Sequence, residues 1–158
     1  MLNVVYRLIS PKRIEANFTD IKLDANSIIV RPRFLSICHA DQRYFQGQRD
    51  INILKKKLPM ALIHEAMGTV IYDPKGEFKP DERVILIPNI PFEKDNIVSE
   101  NYLRSSKFRA SSCDGFMQEY MKMDRDRLIR VSQEISDEMS SFTEIVSVCV
   151  HTILRLSL

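Results

Sequence analysis

Three β-rich runs open the chain and constrain its fold more than anything that follows. Residues 3–10, 13–23 and 27–37 are dense in Ile, Val and Phe, and Pro11 and the Asp24-Ala25-Asn26 turn punctuate them. Pro32 lies inside the third run, where a missing backbone donor predicts an edge position or a bulge. Further strands are expected at Thr69–Tyr72, at Val84–Pro88 after the Asp73-Pro74-Lys75-Gly76 turn, and at Leu128–Val131. Between them, Cys38 to Gly47 reads as a short helical turn and Arg49 to Lys57 as a solvated basic loop. Residues 89–114 read as a long irregular insert. Ser136 is a plausible N-cap with Asp137 and Glu138 in the first turn, and a helix is expected over Phe142–Leu154. The expected class is therefore mainly β with short helices.

Composition bounds the partners. A chain of 158 residues with 44% hydrophobic and 28% charged residues fits one folded domain. A net charge of +2 implies no polyanion-binding field, so no nucleic-acid partner is expected. No apolar run reaches transmembrane length, so no membrane partner is expected either. Three cysteines do not make a disulfide framework and, with no secretory leader, suggest a reducing cytoplasm.

The chemistry-bearing residues are Cys38, His64 with Glu65, and Glu144. Thiolate, imidazole and carboxylate are the donors of a catalytic zinc site, in which three protein ligands leave a fourth position open. Taken alone, a single Cys is equally a small buried hydrophobe and a His-Glu pair equally structural. Ala66 and Gly68 are small, as if something approaches the backbone there. The four glycines, Gly47, Gly68, Gly76 and Gly115, are spaced so that no G-x-G-x-x-G motif exists.

Order and context then add a resemblance. Cys38-His39-Ala40-Asp41, Ile63-His64-Glu65-Ala66-Met67-Gly68, Asp81-Glu82-Arg83-Val84 and Asp114-Gly115-Phe116-Met117-Gln118 follow one another along the chain. This resembles the catalytic half of the zinc-dependent medium-chain alcohol and polyol dehydrogenases, and within it the ribulose-5-phosphate reductase (ribitol-5-phosphate dehydrogenase) branch. The resemblance implies a GroES-like, partly open antiparallel β-barrel over residues 1–135. It implies that residues 136–158 begin a connecting helix toward a Rossmann coenzyme domain that is absent from the sequence. It also implies NADPH-dependent reduction of ribulose 5-phosphate to ribitol 5-phosphate for CDP-ribitol and teichoic acid or capsule polymers. The relatives are expected to be homo-oligomers working with a cytidylyltransferase.

Residue roles come from the same resemblance. Cys38 and His64 would hold one catalytic zinc, with Glu65 and Glu144 as carboxylates of which one is firmly bound and one more distant. Asp41 would orient the His ligand, although on its own it is equally a cap for the turn. Tyr44 would face substrate, although it is equally a core aromatic. Arg43 would meet the substrate phosphate, with Arg104, Lys107 and Arg109 in the insert as further cations, and His39 would face the coenzyme. Family members often place four cysteines in the insert for a structural zinc; this chain has Cys113 alone there, so no structural zinc is expected. Cys113, Cys149 and His151 read as structural. The reading from a different class is a GroES-like binding module without chemistry, which the missing glycine fingerprint favours for this polypeptide.

Overall fold

Pro11 and Asp24 set the first turns of the chain. In the computed structural model, which describes residues 1–156, β1 (Leu2–Ser10) and β2 (Arg13–Asp20) form an antiparallel hairpin around Pro11 and Lys12, with Arg7 opposite Glu15 and Leu8 opposite Ile14. After the Asp24–Asn26 turn, closed by Asn26 and Ser27 N–H groups donating to the Asp24 carboxylate, comes β3 (Ile28–Ser36). It is flanked by strands on both sides only over Ile29–Val30, which pair with residues 70–72 and 121–122; Pro32 pairs on one side alone, opposite Gly68, and the register shifts between Pro32 and Phe34, so Pro32 sits at both an edge position and a bulge.

α1 (His39–Phe45) follows and is closed by Gly47 at φ 74°, a conformation that suits glycine. The expected loop at 49–57 is a helix instead, α2 (Ile51–Lys57). Asp50 caps it by accepting from Asn52 and Ile53 N–H groups, three lysines occupy its negative end, and Leu54 anchors it in the core. β4 (Met60–Ala61) adds to β1, giving the sheet β2-β1-β4. β5 (Glu65–Tyr72), β6 (Arg83–Leu86), β9 (Met121–Met123) and β10 (Leu128–Arg130) complete the main antiparallel sheet in the order β10-β6-β5-β3-β9. The insert contains β7 (Asn89–Ile90) paired with β8 (Lys107–Phe108), and a short 3₁₀ turn at Glu100–Tyr102. An isolated bridge between Val5 and Gln118, with flanking bonds from Tyr6 N–H to the Met117 carbonyl and from Glu119 N–H to the Val4 carbonyl, ties β1 to the segment entering β9, and the whole is a curled, partly open antiparallel barrel. The expected fold class is the observed one.

Two apolar clusters fill it. One lies inside the main sheet around Val30, Val70, Val84, Leu86 and Phe116; the other joins Leu8, Tyr44, Leu54, Met60, Leu62 and Ile63 beneath α1 and α2. Gly68 is small because β3 runs against it. A Cβ there would lie 2.5 Å from the Arg31 carbonyl, so the expected close approach to the backbone is that of the neighbouring strand. The C-terminal helix expected over Phe142–Leu154 is α4 (Thr143–Leu156), and the expected Ser136 cap opens a separate short helix before it, α3 (Asp137–Ser141). α3 packs on β3 and β5, whereas no residue of α4 is buried. Among the described residues no helix is long and apolar enough to cross a membrane.

Candidate metal centre

Register brings the site together. Ser36, the last residue of β3, pairs with Glu65, the first of β5. Cys38, two residues beyond one strand, therefore meets His64, which immediately precedes the other. Cys38, His64 and Glu65 each offer a donor atom, and these atoms lie within 4.8 Å of one another. A tetrahedral zinc with ligand distances near 2.0–2.3 Å needs donors about 3.5 Å apart. Small side-chain movements close that gap, so the sulfur, nitrogen and oxygen set fits zinc. Glu65 is only 2% exposed, its nearer oxygen lies 4.0 Å from His64 Nε2, and no lysine or arginine pairs with it among the described residues. An ionised carboxylate in that position is costly without a positive charge beside it.

The backbone that presents His64 is held in an unusual state. Ile63, a β-branched residue, sits at φ 70°, in the left-handed region that such side chains avoid. Its N–H donates to Asp41 Oδ1 at 2.9 Å and its carbonyl accepts from Phe116 N–H at 2.7 Å. Gly115 makes this possible, since a Cβ there would lie 2.3 Å from both the Leu62 and Ile63 carbonyls.

Asp41 was expected to orient the His64 ring, and the structure differs. Its carboxylate accepts from Cys38 N–H and Sγ at 3.1 Å and from Ile63 N–H, so it positions the backbone ahead of His64 and closes the first turn of α1. Burial, followed by the bond to Asp41, pushes the Cys38 thiol up to about 11. A divalent cation is what would draw the proton off that sulfur.

Glu144, at the start of α4, stands outside the tight cluster but within its electrostatic reach. Burial pushes its carboxyl up, His64 pulls it down and Glu65 pushes it up again. It also borders a cavity of about 420 Å³ lined by Asn89, Asn101, Tyr102 and His151, with Tyr102 Oη 3.5 Å from His151 Nε2. His151, expected to be structural, is exposed on that cavity.

The remaining site residues divide. Tyr44 is 6% exposed and belongs to the core beneath α1, with the Arg49 guanidinium 4.8 Å from its ring, so it is the core aromatic rather than a substrate-facing one. Arg43 turns toward the Gln48 carbonyl, and His39 is exposed at the start of α1. Phe108 escaped sequence reasoning: it packs edge-on against His64, ring centroids 5.1 Å apart, and shields one side of the cluster. Its lone signal was an aromatic in a polar insert.

A curled antiparallel barrel that gathers a thiol, an imidazole and a carboxylate beyond the ends of two paired strands defines a GroES-like catalytic domain of the dehydrogenase type. The chain belongs to the alcohol dehydrogenase GroES-like domain family, whose model matches residues 24–133. It is similar to ribulose-5-phosphate reductase 2 of Staphylococcus aureus, 48% identical over 155 residues, covering 98% of this chain and 46% of that protein. Ribulose-5-phosphate reductase of Bacillus spizizenii is 47% identical over 155 residues, with the same coverage of 98% and 46%. Among solved structures, S. aureus TarJ in complex with NADPH aligns with a TM-score of 0.78 and 35% identity, covering 98% of this chain and 41% of that one. The chain spans about half the length of the curated relatives it matches.

Proposed function

We propose that this chain is the zinc-binding catalytic part of an oxidoreductase that reduces D-ribulose 5-phosphate to D-ribitol 5-phosphate with NADPH. The observation that carries the proposal is the cluster of Cys38, His64 and Glu65 in a chain that matches ribulose-5-phosphate reductases over 98% of its length. Cys38 Sγ, a nitrogen of His64 and a carboxylate oxygen of Glu65 would hold the metal, with Glu144 as the more distant carboxylate. When bound, zinc supplies Lewis acidity that polarises the substrate ketone. Phe108 keeps water from one side of His64, and Asp41 holds Cys38 and Ile63 in place. When bound, NADPH would supply the hydride for the ketone carbon, and the ketone oxygen would need a proton. Glu144, its carboxyl pushed up by burial, is suited to hold that proton. Asn89, Asn101, Tyr102 and His151 offer hydrogen-bonding groups, as sugar hydroxyls require, in the cavity beside it. Arg43 is assigned to the substrate phosphate and His39 to the coenzyme.

We assign residues 1–135 to the catalytic unit and 136–158 to the start of a helix leading toward a coenzyme-binding domain. The absence of buried residues in α4 supports a helix leaving the sheet. A homo-oligomer is the proposed working state, and a cytidylyltransferase that consumes ribitol 5-phosphate the proposed partner.

The test is NADPH oxidation by the natural-length protein carrying this chain, loaded with zinc. Turnover is expected with ribulose 5-phosphate, and at least tenfold lower kcat/KM with ribulose. Comparable rates on both, or none on either, would overturn the assignment.

A further inference from the structure

Strand β8 separates two different environments. Phe108 turns toward His64, while its neighbours Lys107 and Arg109 line a separate cavity of about 630 Å³. Cys38, His64, Glu65 and Glu144 take no part in that cavity. Its cations are Arg7, Lys22, Lys107, Arg109 and Lys122, and its acids are Asp20 and Asp114.

The acids are already engaged. Asp114 is held by Arg7 through paired bonds and also accepts from Ala61 N–H. Asp20 pairs with the N-terminal amine at 2.7 Å, and Lys122 pairs with Asp24. Lys22, Lys107 and Arg109 are left with no carboxylate partner among the described residues; Lys107 lies 5.4 Å from the Phe92 ring centre.

Arg109 is the informative member. Its Nε is buried and has no hydrogen-bond partner, Nη1 makes one long bond of 3.4 Å to the Asp114 carbonyl, and its guanidinium lies 5.7 Å from the Phe116 ring centre. Burial disfavours the charge, with Cys113, Asp124 and Asp114 offsetting it only in part. A guanidinium stays charged at any ordinary pH and presents a rigid fork of donors. An unfilled donor on a buried cation is a standing cost that an anion would remove.

We propose that this cavity binds a phosphate group, with Arg109 as the fork and Lys107 and Lys22 as flanking charges. Three cations without a carboxylate partner, Lys22, Lys107 and Arg109, suit a dianion better than a single carboxylate. Phe92, Ile90 and Met121 on its walls offer apolar surface to the carbon part of a phosphorylated metabolite. The site stands apart from the metal cluster and does not depend on the reaction proposed for it.

The test is isothermal titration calorimetry of the zinc-loaded, natural-length protein with inorganic phosphate and, separately, methyl phosphate. Saturable binding is expected, and tighter binding of methyl phosphate would identify a phosphate monoester as the occupant rather than the free ion. Arg109→Met should weaken binding about tenfold or more. Lys22→Ala and Lys107→Ala change exposed residues, keep the fold, and should each weaken it about threefold or more. Lys55→Ala, an exposed lysine on α2 that does not line this cavity, should leave the binding unchanged. Absence of saturable binding, binding unaffected by the two lysine variants, or binding weakened equally by Lys55→Ala would each overturn the proposal.

Discussion

The carboxylate of Asp41 accepts the backbone N–H of Ile63 at 2.9 Å, across 22 residues of sequence. That bond fixes the residue ahead of His64 in a left-handed conformation that costs a β-branched side chain about 1–3 kcal/mol. The same carboxylate caps α1 at Cys38. One acid thus sets the positions of two candidate ligands without touching a metal.

Replacing Asp41 by Ala strands the buried Ile63 N–H and uncaps α1. A loss of about 2–4 kcal/mol is expected from one unsatisfied buried donor and one lost cap, with zinc affinity falling at least tenfold. Asp41→Asn keeps one acceptor oxygen and should lie between. Urea unfolding and competitive zinc titration check both, and an Ala variant as stable and as tight as the parent would remove Asp41 from this role.

Gly115→Ala places a Cβ 2.3 Å from two backbone carbonyls that lie just before His64. Backbone cannot give as a flexible side chain can, so a loss of about 2–4 kcal/mol is expected, together with impaired zinc binding. Gly76→Ala is the control: φ is 69° but nothing lies within 4 Å, so the cost should be about 1 kcal/mol. Equal melting temperatures for the two variants would contradict the packing argument.

Protein purified without chelator should contain one zinc per chain. Cys38→Ser combined with His64→Ala should reduce it below a tenth of that amount, and chelation of the parent should lower Tm. Metal analysis decides the first point. Zinc retained by the double variant, or a second equivalent held in residues 89–114, would count against the assignment.

Glu82 links stability to pH. The Lys79 N–H, and then Arg130, hold its carboxyl below the usual glutamate value. A depressed folded-state value means stability that is present above the unfolded value, near pH 4.3, and lost as pH falls through the folded one. Urea midpoints should therefore drop between about pH 5 and pH 3, and Glu82→Gln should flatten that drop. An unchanged slope would show that Glu82 contributes nothing to it.

The isolated polypeptide of residues 1–158 should self-associate and should not oxidise NADPH detectably. Val146, Val150 and Leu154 of α4 are 49–65% exposed, and covering such side chains stabilises by about 1.5–3 kcal/mol each. No glycine-rich phosphate cradle is present in these residues to hold a coenzyme. Light scattering over a concentration series should show growth that Val146→Gln, Val150→Gln and Leu154→Gln together abolish. A stable monomer in the parent, or measurable turnover, would contradict this.

The strand plan was legible because β-branched runs and turn residues carry their own local signals. β1, β2 and β3 lie within or one residue from the runs read for them. The bulge at Pro32 followed from its missing donor. The helix at Ile51–Lys57 was not legible, because it rests on a capping bond from Asp50 and one buried contact at Leu54 rather than on a repeating apolar face. Cys38, His64 and Glu65 could be nominated from residue type and family order, since zinc selects donors by chemistry.

What sequence could not decide was anything that depends on which backbone lies next to which. Gly68 marked a close approach to the backbone without saying of what, and its neighbour is the Arg31 carbonyl on β3. Asp41 looked like a partner for the His64 ring, and its partner is Ile63 N–H. Tyr44 could have faced substrate, and the packing of α1 and α2 buries it. Phe108 reaches His64, and Arg109 its own cavity, because the insert folds back across 44 residues in the first case and alternates its faces over residues 107–109 in both. Residue chemistry is local and is written in the chain. Hydrogen-bond partners, burial and the face a strand residue presents are set by long-range register, so only the tertiary structure decided them.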